Sequence, residues 1–543
     1  MTGAAPSVIP VAAHTTAATR PVIPGFHPDP SICRVGDTYY LAVSSFEYAP
    51  GVPLFASTDL RTWRPIGHAL DRPGQLDVAG ATAAEGIFAP TLRHHDGRFW
   101  MITTNWWDKG GQVLVHATDP AGPWSDPVRI PEAVGIDPDL VWDDDGRCLM
   151  SYAGFGPQGS EGIVQSEIDP WTGAVRTPRR RIWAGTGGKF PEGPHLYRVG
   201  DHWYLLIAEG GTERGHAVTV ARSRSPQGPF ESCPHNPLLT HRSTDLPVQN
   251  TGHADLVQVA DGSWAMVFHG VRPRGSSPEW HVLGRETFAV RIEWVDGWPV
   301  LGAPIEPPPG SAGPVPEDLS APVLPDAWVG CGRFPTEFVS RQEDGWRVSA
   351  VPAAAEPVFL ARRQEHLTAR VRAALTVVGV GGLSIRIDPR HALTLECVAG
   401  TVRAVLAVGD ARAVLGSIAV EPAVGDRAGG VDALAVDLEI RAMPAPGHAF
   451  STSRGPDRVV AGVRRDGGFV ELGAVDGRYL STEVAGGMTG RMVGITCADG
   501  HVLVRSFEYL GSDDDLFADP AAAAGRRVEG AGAWTTDLVD SGA

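Results

Sequence analysis

The chain has 543 residues and a formal net charge of −17, with 66 glycines, 46 prolines and 16 tryptophans. That length exceeds one compact core and points to two or three domains, while the negative surface excludes nucleic acid and anionic lipid as partners and admits neutral substrates. The six cysteines (Cys33, Cys148, Cys233, Cys331, Cys397 and Cys497) show neither metal-type pairing nor a dense disulfide framework, and read as free core thiols.

The first twenty residues lack the basic start and unbroken apolar core of a secretory leader, and no stretch of the sequence suits a membrane-spanning helix. The expectation is a cytoplasmic protein whose residues 1–20 are disordered. From there five segments share one shape: PSICRVGDTYYLAVSS from Pro30, PTLRHHDGRFWMITTN from Pro90, PDLVWDDDGRCLMSYA from Pro138, PHLYRVGDHWYLLIAE from Pro194 and ADLVQVADGSWAMVFH from Ala254. Each reads as a strand, a Gly-Asp or Asp-Gly turn, and an apolar strand, which makes a β-hairpin. Hairpins recurring at intervals of roughly fifty to sixty residues, each followed by further strand sequence, predict a five-bladed β-propeller over 21–303. A β-sandwich with coincident hairpins is the alternative architecture.

A Pro-rich linker follows over 304–325, where central sheet pairing is unfavourable. Beyond it, Leu367, Ala369, Val371, Ala373, Leu375 and Val377 alternate at period two, the pattern of a half-buried strand. With the strands that follow, they predict a second all-β domain over 326–517, a concanavalin-like β-sandwich. Residues 518–543 are Ala/Gly-rich and read as a flexible tail.

The residues just before the five repeats are Asp29, Ala89, Asp137, Gly193 (with Glu192 ahead of it) and His253. Inner strands surround a propeller axis, so these positions converge at one end of the central channel. Pro30, Pro138 and Pro194 are expected to push the preceding residues toward extended backbone and so to aim the side chains. Three carboxylates gathered in a concave, partly apolar site have their pKa values driven apart, the condition for acid/base chemistry at neutral pH. Glycoside hydrolysis needs such a set: one carboxylic acid protonates the leaving oxygen while a carboxylate activates water or attacks directly.

The ordered series HPDPS, YYLAVSSFEYAPGVPLFASTDLRTW, FAPTLRHHDGRFW, GIDPDLVWDDDG, PEGPHLY, NTGHADLV and LGRETF resembles the motifs of glycoside hydrolase family 43, the five-bladed propeller xylosidases and arabinofuranosidases, over roughly Pro21 to Gly302. PVFLARRQEH and the strands after it are similar to the C-terminal β-sandwich of that family's β-xylosidases. The resemblance implies that Asp29 is the general base, Glu192 the general acid, and Asp137 an orienting carboxylate that also helps keep Glu192 protonated by like-charge repulsion. It further implies substrate-binding roles for Phe46, Phe88, His253 and Arg285. Phe88 departs from the Trp usual in xylosidases, a pocket Trp after LMSYAGFGPQGSEG is missing, and Trp106 and Trp107 are equally compatible with compensating for these changes or with core packing.

The implied activity is release of terminal xylose from short β-1,4-xylo-oligosaccharides with inversion, with α-L-arabinofuranosidase activity, alone or in addition, as the nearest alternative. A non-catalytic sugar-binding propeller and a retaining fructan-type enzyme are further alternatives. No cofactor is required. A structural Ca²⁺ near His253, found in some relatives, is compatible with the resemblance, but no oxygen-rich loop is visible. The partner expected is a small oligosaccharide, and a homo-oligomer is equally compatible with the sequence.

Overall fold

The structure is a computed structural model that describes residues 14–108, 111–310, 315–316, 319, 321–421, 427–428, 431–447, 453–518 and 526–527. It is nearly all β: among the described residues the one α-helix is a single turn, Thr482–Ala485. The first half is a five-bladed propeller, each blade a four-stranded antiparallel sheet whose strands follow one another in the chain. The inner strands are Ser31–Val35, Thr91–His95, Gly135–Trp142, Glu192–Val199 and Gln249–Gln258. Glu286–Val295 and Trp298–Ile305 complete the fifth blade. In three blades the predicted turn is a two-residue hairpin loop, at Gly36-Asp37, Asp96-Gly97 and Gly200-Asp201, and its Gly carries positive φ.

Among the described residues no blade sheet borrows a full strand from the far end of the chain; blade five is joined to blade one by a short backbone bridge, Ile23 with Thr287, and by side chains. Asp255 of the fifth inner strand makes the side-chain link: its Oδ2 accepts from Ser31 Oγ at 2.7 Å and from the Ile32 backbone N–H at 2.9 Å. Arg93 of blade two reaches across the axis, donating to Asp255 at 2.8 Å and to Asp139 of blade three at 2.7 Å. The Tyr197 hydroxyl of blade four also donates to Asp255. Ser31, Asp139, His195 and Asp255 each lie two residues after the axis positions Asp29, Asp137, Gly193 and His253. One polar layer therefore plugs the channel beneath the positions that carry the candidate site.

The second domain is built on two 21-residue strands, Thr368–Asp388 and Met492–Ser512, paired along almost their whole length. Hairpins branch from them in two directions: His391–Val398, Thr401–Val408 and Ala411–Ala419 from one part of the first strand, Leu434–Pro444, Asp457–Arg465 and Gly468–Asp476 from the other. The two arms face each other closely enough that a Cβ at Gly473 would meet Leu415 at 2.7 Å. One apolar core lies between them, and it includes the buried Ala369, Val371, Ala373, Leu375 and Val377 of the period-two pattern. This is the predicted β-sandwich.

The domains share a cluster of Phe26, Phe46, Tyr48, Val329, Phe359 and Met492, and Tyr48–Ala49 pairs with Gly330–Cys331. All six cysteines are free. The disorder expected over 1–20 meets a correction from His14 onward. The Thr16 backbone N–H donates to His241 at 3.0 Å and that of Thr19 to Glu306 at 2.9 Å, so hydrogen bonds to the propeller order this segment. Residues 1–13 of that segment lie outside the described residues, as does the predicted tail apart from 518 and 526–527. No helix of the described residues is long and apolar enough to cross a membrane.

Removing Arg93 would strand Asp139 and Asp255, both buried, without their cation. Arg93→Met is expected to destabilise the propeller by about 3–5 kcal/mol, the usual result of breaking a buried ion pair from one side, measured as a fall in the denaturant midpoint of unfolding.

Candidate active site

Asp29, Asp137, Gly193 and His253 converge at the channel mouth through a backbone feature opposite to the extended one predicted. Their φ angles are 56°, 57°, 56° and 47°, all in the left-handed region. The ladders of blades three, four and five slip register across the same place, between Ile136 and Asp139, Glu192 and His195, and Gly252 and Asp255. An extra residue in the inner strand turns the chain and re-aims the side chain. The following prolines disfavour right-handed α geometry; in blades three to five the left-handed turn lies within the bulge, whereas Asp29 adopts it just ahead of its strand, whose ladder runs without a slip. Asp, Asp, Gly and His are among the residue types that tolerate this region best. Blade two has Ala89 at this position and shows neither feature.

Asp29 is buried and fully engaged. Its Oδ1 receives the Arg285 guanidinium at 2.5 Å and faces His269 Nδ1 at 2.9 Å and His253 Nδ1 at 3.6 Å, while Oδ2 accepts from Ser44 Oγ at 2.6 Å. Burial alone would raise its pKa; Arg285, then His253 and the His269 hydrogen bond, overcome burial and hold the carboxyl well below the usual range. Glu192 is the reverse case: burial, then the charge of Asp29, pushes it up to about 8 against a smaller lowering by Arg285. The two carboxyls to which the resemblance assigns the base and acid roles are thus driven in opposite directions, Asp29 down and Glu192 up.

Asp137 is raised as well, first by burial and then by Glu192 and Asp29, and it accepts from the Gly193 backbone N–H. It therefore grips the residue next to Glu192, as an orienting group should. Asp137 and Glu192 also repel each other, so the two neighbouring carboxyls resist being ionised together, and the charge of Asp29 raises both.

Of the expected sugar-contacting residues, Arg285 joins the carboxylates to a cavity of about 320 Å³ lined also by Glu213 and Asn250 and, from the sandwich, by Thr482, Glu483 and Met488. His253 is buried and pushed down to about 3, chiefly by burial, so it is neutral. Phe46 is only 2% exposed and lies 5.6 Å beneath the Arg285 guanidinium, which makes it a support for Arg285. Phe88 packs on Phe46 and is stacked by Trp106 at 5.8 Å; Trp106 is 37% exposed and extends the aromatic row outward past the Phe at the unusual position.

Three contributors went unread in the sequence. His269 closes the last quoted hairpin and bonds Asp29. His216 stacks on His269 at 5.1 Å, and a Cβ at Gly252 would lie 1.9 Å from its ring, so the Gly of TGH makes room for it. Glu209, the last residue of the fourth repeat, accepts from Thr186, Gly188 and Thr219 and so anchors the loop that leads to Glu192.

Asp29, His253 and His269 bring one carboxylate oxygen and two ring nitrogens within 4.8 Å of one another. Ca²⁺ takes roughly six to eight oxygens, and the Asp29 oxygen in this group already holds Arg285. The residues present do not fit directly bound Ca²⁺.

A sequence profile described as glycosyl hydrolases family 43 matches residues 18–299. A xylosidase/arabinosidase of Butyrivibrio fibrisolvens is 48% identical over 298 residues, covering 52% of this chain and 56% of that protein. A non-reducing end α-L-arabinofuranosidase of Bacteroides ovatus is 45% identical over 288 residues, covering 52% and 53%. The chain thus spans about half the length of the curated relatives it matches. Among solved structures, a xylan β-1,4-xylosidase of Bacillus halodurans superposes with a TM-score of 0.78 at 29% identity, covering 90% of this chain and 99% of that one.

Gly193 has φ +56°, and a Cβ there would meet the His253 ring at 2.9 Å. Gly193→Ala is expected to lower the unfolding free energy by at least about 1–2 kcal/mol, the left-handed penalty alone. Chemical denaturation against Gly200→Ala, a site of similar φ with open space around it, isolates the further loss from the clash.

Proposed function

The chain belongs to glycosyl hydrolases family 43, and from that membership we propose that it is an exo-acting, inverting glycoside hydrolase releasing terminal non-reducing xylose from short β-1,4-xylo-oligosaccharides. The observation that carries the reading is the electrostatic split within one buried cluster, Asp29 held ionised and Glu192 raised to about 8. A binding module has no use for such a split, whereas single-displacement hydrolysis needs both protonation states at once.

In this mechanism a water on the Asp29 side attacks the anomeric carbon and gives its proton to Asp29. As the glycosidic bond breaks, Glu192 delivers its proton to the departing oxygen. The attack comes from the face opposite the leaving group, so the configuration inverts. Arg285 orients Asp29 and offsets its charge until the proton arrives. Asp137, through the Gly193 N–H, keeps Glu192 aimed at the leaving oxygen. Afterwards Asp29 loses its proton and Glu192 regains one from solvent. The sandwich residues that wall the cavity beside Arg285 favour action on a chain end.

The second reading, an α-L-arabinofuranosidase, rests on the Bacteroides relative that bears that name and on Phe88 with Trp106 at the aromatic wall. Turnover of aryl β-xyloside against aryl α-L-arabinofuranoside separates the two.

Two results are expected on the favoured substrate class. Glu192→Ala should depress kcat on xylobiose by about 10²–10⁴, the usual worth of a general acid, and should do far less on an aryl glycoside, whose leaving group needs little protonation. Equal losses on both would contradict the acid role. The pH profile of kcat/KM should fall as pH rises through about 8, where Glu192 loses its proton, and should fall on the acid side only below the ordinary carboxylate range, where Asp29 gains one. Glu192→Gln should abolish the alkaline limb.

A further inference from the structure

Away from the carboxylates, a cavity of about 210 Å³ lies between the propeller and the sandwich. Its walls include Phe55 and Trp63 from blade one and Arg363 from the sandwich, with His68 beside them. Arg363 is 4% exposed; its Nε donates to the Phe26 carbonyl at 2.6 Å and its plane lies 5.6 Å from the Phe26 ring, but its Nη2 has no partner. Other buried arginines are neutralised: Arg272 by Glu286 at 2.6 Å, Arg491 by Asp457 at 2.5 Å. Among the described residues Arg363 has no carboxylate within ion-pair reach, and neighbouring Glu365 is taken by Arg362 at 3.5 Å. His68, 8% exposed, likewise leaves its Nε2 without a partner.

We propose that this cavity is a binding site for a small monocarboxylate, its charged end held by Arg363 and His68 and its body against Phe55 and Trp63. A buried guanidinium without an anion is an unfavourable state that a ligand of opposite charge relieves, and its planar fork matches a carboxylate. Burial lowers Arg363 to about 10 and, with the charge of Arg363, lowers His68 to about 3, so Arg363 carries the positive charge of this wall and His68 is a neutral hydrogen-bonding group. Two carboxylates, Asp326 and Glu365, line the same cavity. A dianion such as phosphate would be repelled by them more strongly than a monoanion, which favours the smaller charge. The volume suits a compact ligand rather than an oligomer.

The test uses the full chain at constant ionic strength. Calorimetric titration and thermal unfolding are run with acetate, propionate and glucuronate, and with glucose and inorganic phosphate as contrasts. At least one carboxylate should bind saturably at one site per chain and raise the unfolding temperature. Arg363→Gln should weaken that binding about tenfold or more, the worth of a charge-assisted contact. Trp63→Ala, a half-buried position at the wall, should weaken propionate or glucuronate more than acetate. Absence of saturable carboxylate binding to the wild-type chain would overturn the proposal. So would binding that survives Arg363→Gln unchanged, or tighter binding of phosphate or glucose.

Discussion

The site rests on one buried ion cluster. Arg93 ties Asp139 to Asp255, and Asp255 ties the last inner strand to the first through Ser31 and Ile32. With every blade made from its own strands, this polar layer shares the closing of the ring with the short backbone bridge between Ile23 and Thr287. The same strands carry the chemistry two or three residues further up, so the spacing of Asp29, Asp137 and Glu192 inherits the geometry of the plug below. Burying such charges is unfavourable unless each is matched, and Asp255, drawn down to about 2 chiefly by Arg93 against the effect of burial, is well matched.

Above that layer the backbone, rather than the side-chain rotamer, aims the functional groups. Residues held in the left-handed region cost about 1–3 kcal/mol each when they are not glycine, and three of the four axis positions here are not. Stability lost at the mouth is offset by the matched charges and the interblade cores beneath it. The result is a cluster in which a carboxylate with four close partners stands beside one held up by burial and by its neighbour's charge.

The repeat was legible because turns and strand periodicity are local: five hairpins recur at like spacing, and the residues ahead of them include the three carboxylates. What escaped were facts that belong to pairs of distant segments. His269 meets Asp29 across 240 residues of chain, and nothing near either announces it. The bulges escaped for a different reason. Asp-Pro suggests extended backbone when read by steric preference alone, yet the list Asp, Asp, Gly, His at equivalent positions was itself a sign of left-handed geometry. In the sandwich, alternation revealed the strands but not the segment 481–491, whose backbone docks on His281 and Val282 and brings Met488 to the cavity beside Arg285.

The self-contained blade has an evolutionary corollary. Where a lower layer already ties the blades together, an axis position above it can change while the ring stays closed. Blade two shows such a silent position: Ala89 bears no chemistry, and its strand runs without a bulge while the ring still closes. New specificities in a scaffold of this kind need not begin with a new fold or a longer loop. They can begin with one inner strand gaining a residue and turning a different side chain toward the axis.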